Sequence, residues 1–135
     1  MNDIKWLSAY KIGVKKIDEQ HQDLFTLMHQ LEDGLKQGWN TEKIRELFDL
    51  LVEHVIIHFA DEEAYMTKFH YPERMAHVVE HRDLIRQVEE VERQWNLGKL
   101  VVTSELLEYL NHWLVNHIQG PDHQLGLFLY RHGHA

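Results

Sequence analysis

Apolar side chains in this chain return every three or four residues through four long stretches, and little interrupts them. That period is helical, and strand-like alternation is scarce. Only two prolines, Pro72 and Pro121, and seven glycines punctuate the 135 residues. The first stretch runs from about Asp18, a candidate N-cap, to Lys36 on Leu24, Phe25, Met28, Leu31 and Leu35; Gly38 ends it. The second starts at Asn40-Thr41 and carries Ile44, Leu47, Phe48, Leu51, Val55 and Phe59 to about Phe69. The third runs to about Trp95 on Leu84, Val88, Val91 and Trp95, with Pro72 suited to its first helical position and Gly98 as its stop. The fourth opens at Thr103 or Ser104, lines up Leu106, Leu110, Trp113 and Leu114, and is expected to break at Gly120-Pro121.

Short connections make neighbouring helices antiparallel, so the expected architecture is all-α: an up-down four-helix bundle forming one domain over residues 1–135. An irregular N-terminal arm, Met1 to Ile17, is expected to pack down through Trp6, Tyr10, Ile12, Val14 and Ile17. A short C-terminal helix over Leu125 to Tyr130 is expected to fold back on the body.

Composition narrows the chemistry. There is no cysteine, which excludes disulfides, thiolate metal sites and cysteine nucleophiles. Lys and Arg number 14 against 22 Asp and Glu, a net charge of -8. Nucleic acid and anionic membrane both demand a cationic footprint, so neither is expected as a partner. The opening Met1-Asn2-Asp3-Ile4-Lys5-Trp6 lacks the blocks of a signal peptide, and no apolar run is long enough to span a bilayer. A cytoplasmic protein is expected. Histidine is the anomaly, with 12 residues.

The apolar stripes sort those histidines. His21 lies one turn before Leu24 and Phe25; His58 lies seven residues after Leu51 and four before Glu62. Four residues turn a helix by about 400°, so His58 and Glu62 point the same way. His77 and His81 repeat that spacing ahead of Leu84 and Val88, and His117 follows Leu114 by three residues. Asp122, five beyond His117, would lie about 140° away on an unbroken helix. A break at Gly120-Pro121 allows it to swing back toward the bundle axis. His29, His70, His112, His132 and His134 are expected at the periphery, and His54 at the edge of the inner face.

Taken singly, an inward histidine is most often an ordinary core residue, and His-x-x-x-Glu or His-x-x-x-His a surface pair. Five imidazoles and two carboxylates buried together are another matter, because unpaired they would be costly and a metal cluster removes the cost. The set exceeds one tetrahedral zinc and suits two ions with mixed N/O donors, iron above all. Neither His-Glu-x-x-His nor the Glu-x-x-His of ferritin-like di-iron oxidases occurs.

Four runs carry a resemblance over nearly the whole chain: Trp6…Tyr10-x-Ile12-Gly13-Val14…Ile17-Asp18-x-Gln20-His21; His58-Phe59-x-x-Glu62-Glu63-x-x-Met66; Tyr71-Pro72…His77-x-x-x-His81; and Trp113-Leu114-Val115-Asn116-His117-Ile118…Asp122. Together they resemble the hemerythrins, and the single-domain length resembles the bacterial ones. The resemblance implies two iron ions, one held by His77, His81 and His117 and the other by His21 and His58 with an open position. It further implies bridging by Glu62 and Asp122 together with an oxo or hydroxo group. Leu24, Phe59, Trp113, Leu114 and Ile118 would line an oxygen pocket.

The function so implied is reversible dioxygen binding for transport, storage or delivery, by a monomer that is not an enzyme and whose recipient is an oxygen-consuming enzyme. The alternatives are an oxygen or redox sensor, or a weak di-iron oxidase or peroxidase.

Overall fold

In the computed structural model, which describes residues 4–99 and 102–133, a single 3-10 turn, Ser8–Tyr10, precedes five helices. They are α1, Lys15–Gln37; α2, Thr41–Lys68; α3, Arg74–Asn96; α4, Ser104–His117; and α5, His123–Arg131. A π-helical turn, Ile118–Asp122, joins α4 to α5. No strand occurs among the described residues.

Local chemistry sets the ends of these helices. Asn40 accepts the Lys43 N–H at 2.8 Å to open α2, and Thr103 accepts the Leu106 N–H at 3.1 Å to open α4. Gly38, at φ 70°, closes α1 in the left-handed conformation that a side chain would resist. Pro72 does not start α3: it lies in the turn before Arg74, and Glu73 occupies the cap position.

Asp18 is not a cap either. The helix already begins at Lys15, and Asp18 is a buried first-turn residue whose carboxylate accepts the N–H groups of Ile12 and Gly13 at 2.8 and 3.2 Å. A negative charge there suits the positive end of the helix dipole and ties the arm to α1 at the same time.

The bundle packs α1 on α2, α2 on α3 and α1 on α4, while α3 and α4 approach less closely. Its core runs the full length: Phe25, Phe48, Phe59, Leu31, Met66, Leu107 and Leu125 are all buried. The arm covers one side of this core, with Ile4, Ile12 and Val14 buried and Tyr10 stacked on Phe25 at 5.4 Å; Ile17, expected in the arm, is buried in the first turn of α1 instead. Residues 1–3 of the expected arm lie outside the described residues. His29, expected at the periphery, helps hold the arm by donating from Nδ1 to the Ile4 carbonyl at 3.0 Å.

The fourth helix does not break. Pro121 offers no N–H to the preceding turn, and the backbone widens into a π-turn that carries the chain on into α5 without leaving helical conformation. Leu125 and Leu129 then bury against the body.

The backbone of Ile12 crosses directly over Gly126, where an added Cβ would meet the Ile12 carbonyl oxygen at 2.3 Å. A backbone atom cannot rotate aside. Gly126→Ala should therefore cost about 1–3 kcal/mol by forcing the arm off α5; a thermal unfolding midpoint equal to the native one would contradict this docking.

Candidate metal centre

Seven of the side chains singled out by the apolar stripes meet in one buried cluster: His21 from α1, His58 and Glu62 from α2, His77 and His81 from α3, His117 at the end of α4, and Asp122 from the π-turn. Their donor atoms form two groups with shared members. Glu62, His77, His81, His117 and Asp122 make one, and His21, His58, Glu62 and Asp122 the other, each with ligand atoms within 4.8 Å of one another.

The two carboxylates divide their oxygens between the groups. Glu62 Oε1 lies 2.8 Å from His77 Nε2 and 3.3 Å from His81 Nε2, while Oε2 lies 2.9 Å from His58 Nε2 and 3.8 Å from His21 Nε2. Asp122 Oδ1 lies 2.9 Å from His77 Nε2 and 3.1 Å from His117 Nε2, and its Oδ2 lies 3.1 Å from His21 Nε2. Each carboxylate thus spans two sites. The π-turn is what makes this available to Asp122: widening the backbone brings positions five apart onto one side, where a regular α-helix would set them about 140° apart.

These atoms fit metal better than they fit each other. His77 Nε2 and His81 Nε2 each lie 3.1 Å from His117 Nε2, so three imidazole nitrogens converge on one point. Both oxygens of Glu62, both of Asp122, and the Nε2 atoms of His21 and His58 are buried without a hydrogen bond of acceptable geometry. So many unsatisfied polar atoms would be costly in a protein core. Cis donors about 2.1 Å from a common cation stand about 3 Å apart, the spacing seen here.

The outer nitrogens explain why the inner ones are free to bind. His58 Nδ1 donates to Gln20 Oε1 at 2.7 Å, His81 Nδ1 to Glu63 Oε2 at 2.9 Å, and His117 Nδ1 to Glu80 Oε1 at 3.4 Å. Amide and carboxylate oxygens only accept, so each Nδ1 keeps the proton and each Nε2 presents its lone pair inward. Gln20 is held in turn by donating to Asp61 at 2.7 Å. Sequence reading gave none of these four residues a role. A signal was present, because Gln20, Glu63 and Glu80 each adjoin a cluster residue in the chain.

Without a cation, the cluster holds protons. Burial pushes the His21 and His77 imidazoles down, but Asp122 and Glu62 beside them reverse this and lift them to about 9 and about 10. His117 is raised for the same reason. Burial raises Glu62 and Asp122, yet His58 and His117 above all draw the two carboxyls below the ordinary range. Cations entering the cluster therefore compete with protons.

The residues expected to line an oxygen pocket separate into two kinds. Phe59 stacks flat on His81 at 3.8 Å, and half-buried Trp113 on His117 at 4.6 Å, so both brace ligand rings. Leu24 and Leu114 face a small cavity, and Ile118 is fully buried in the π-turn. His54 is half-buried and belongs to neither donor group. His70 sits in the turn after α2, and His112 pairs with Asn116 on the surface. His134 lies outside the described residues.

His77 touches both carboxylates and so carries the three-histidine group. His77→Ala should lower the iron bound per folded chain, read by metal analysis after loading. Unchanged stoichiometry would remove it from the ligand set.

Comparison with known proteins agrees with the geometry. Residues 12–127 match the family model described as the hemerythrin HHE cation binding domain. The bacteriohemerythrin of Methylococcus capsulatus is 30% identical over 90% of this chain and 92% of its own. That of Pseudomonas aeruginosa is 33% identical over 90% of this chain and 78% of its own. A crystal structure of wild-type hemerythrin superimposes with a TM-score of 0.86 at 30% identity, covering 90% of this chain and 94% of that one. A family match over this span, on a bundle whose helices converge on a shared-carboxylate cluster, places the chain in the hemerythrin family of non-haem iron, oxygen-binding proteins.

Proposed function

We propose that this chain binds dioxygen reversibly at a di-iron centre and serves to carry, store or deliver it. The observation that carries the reading is the unequal division of donors around two shared carboxylates: five residues on one side, four on the other. Two irons held there, with an oxo or hydroxo group as third bridge, would supply the reducing electrons and the open coordination position for the gas.

His77, His81 and His117 fill one site with imidazole, so its remaining positions go to the bridges. His21 and His58 leave the second site one protein donor short, which marks it as the place of binding. Glu62 and Asp122 hold the two sites in register and balance two positive charges that the apolar core could not otherwise accommodate. Neutral imidazole donors outnumber carboxylates, a balance that favours a mild and reversible exchange over irreversible oxidation.

Around the centre, buried Leu24, Phe59, Leu114 and Ile118 deny water and protons a foothold.

Optical spectra of the iron-loaded protein through repeated oxygenation and deoxygenation test this directly. A charge-transfer band should rise and fall over many cycles. A band that never forms, or forms once and does not reverse, would count against the carrier reading.

A further inference from the structure

One side of α4 carries rings where it approaches the metal cluster. Tyr109, Trp113 and His117 recur at four-residue intervals, so they follow one another along the helix at about 6 Å per step. The Trp113 indole lies nearly flat on the His117 imidazole, with centroids 4.6 Å apart and planes 14° from parallel. Its ring also stands 6.0 Å from Phe59, which stacks on His81 at 3.8 Å. Trp113 therefore reaches two imidazoles of the three-histidine group, one directly and one through a second ring.

The outer end of this row is open to solvent. Trp113 is half-buried, Tyr109 is 44% exposed, and both line a groove of about 570 Å³ between α3 and α4. Bracing an imidazole does not call for an oxidisable ring, since Phe59 braces His81 with its plane only 4° from parallel. Indole gives up an electron far more readily than phenyl, and a phenol does so more readily still when its proton can leave to water. The row thus runs from a buried imidazole through an indole to a solvent-facing phenol, each ring easier to oxidise than the one before it. The other phenol near the cluster, Tyr71, is buried and packs its ring on Phe128 at 5.1 Å.

We propose that Trp113 and Tyr109 form an escape route that carries oxidising equivalents from the metal centre to the surface when peroxide reacts there. This rests on the oxygen-binding, di-iron reading of that centre. In the reaction the O–O bond of peroxide breaks, and its oxygens leave as two waters after taking up two electrons and two protons. Trp113 supplies the electrons one at a time through the His117 ring. Tyr109 refills Trp113 each time and releases its phenolic proton to water in the groove. A hydrogen-atom donor in solution, such as ascorbate, restores the phenol after each passage. One peroxide and two donor hydrogens become two waters and two donor radicals, and the ligand imidazoles are spared.

Peptide mass spectrometry of the iron-loaded protein after hydrogen peroxide treatment reads this route without reference to oxygen binding. Oxidised Trp113 and Tyr109 are expected, with both rings unmodified in the metal-free protein and protected by ascorbate. Freeze-quenched electron paramagnetic resonance should show a tyrosyl radical in the native protein and an indole-centred one in Tyr109→Phe. Trp113→Phe keeps a ring against His117 but removes the relay, so oxidation of Tyr109 should fall several-fold. Metal analysis identifies a variant that fails to load iron. In that event Tyr109→Phe, altered only at the surface, decides the matter: oxidised Trp113 should rise several-fold once its refilling is lost.

Oxidation of Tyr109 at the native level in iron-loaded Trp113→Phe would overturn the route, as would an unchanged Trp113 in Tyr109→Phe. Equal modification of the metal-free protein, or oxidation of Tyr71 with Trp113 and Tyr109 intact, would do the same. Radicals on Trp113 and Tyr109 in a protein showing no reversible oxygen band would uphold the route while removing the carrier function. A reversible band in a protein whose Trp113 and Tyr109 stay unmodified under peroxide would do the opposite.

Discussion

Everything in this molecule depends on two carboxylates buried in the middle of a helical bundle, each shared between two sets of imidazoles. Left alone, Glu62 and Asp122 would impose a penalty of several kcal/mol each, on the order expected for an ion removed from water. Protons on His21, His77 and His117, all raised by the two carboxylates, offset that penalty when no metal is present, and cations would offset it more completely. The scaffold is arranged to keep these groups together. Four long helices supply six of the seven side chains, so no single loop movement can dismantle the set. Ring stacking by Phe59 and Trp113, and outer hydrogen bonds to Gln20, Glu63 and Glu80, fix the angle of individual imidazoles.

The seventh ligand shows what the backbone does to complete the site. Pro121 is a poor helix residue, yet the helical backbone does not break there. It opens into one π-helical turn, and that single distortion swings Asp122 inward and still allows α5 to bury Leu125 and Leu129. The N-terminal arm then closes over α5, crossing Gly126 so tightly that no side chain fits beneath it. Metal cluster, π-turn and arm thus form one mechanical unit at one end of the bundle. Beside that unit, the looser contact between α3 and α4 leaves a groove that Val88, Leu110 and Trp113 line.

Helical periodicity exposed most of this in advance. Apolar stripes place His21, His58, His77, His81 and His117 inward because each lies three, four or seven residues from a core residue, and the structure brings all five together with Glu62. Asp122 was legible only as a candidate, since a regular helix turns it away and nothing in the sequence distinguishes a break from a widened turn. Asp18 reads as a cap because acidic residues favour helix starts, but its real partners are the Ile12 and Gly13 amides of an irregular arm whose path no period reveals. Pro72 reads as a first helical residue for the same statistical reason, while the chain uses it in the turn before Arg74. The outer partners of the imidazoles were hidden differently: a polar residue beside a ligand looks like surface until the neighbouring helix is in place.

Iron-edge anomalous diffraction from crystals of the iron-loaded protein tests the central claim most directly. Two peaks are predicted, both flanked by oxygens of Glu62 and Asp122, one facing His77, His81 and His117 and the other facing His21 and His58. A single peak, or two peaks that do not share both carboxylates, would contradict it.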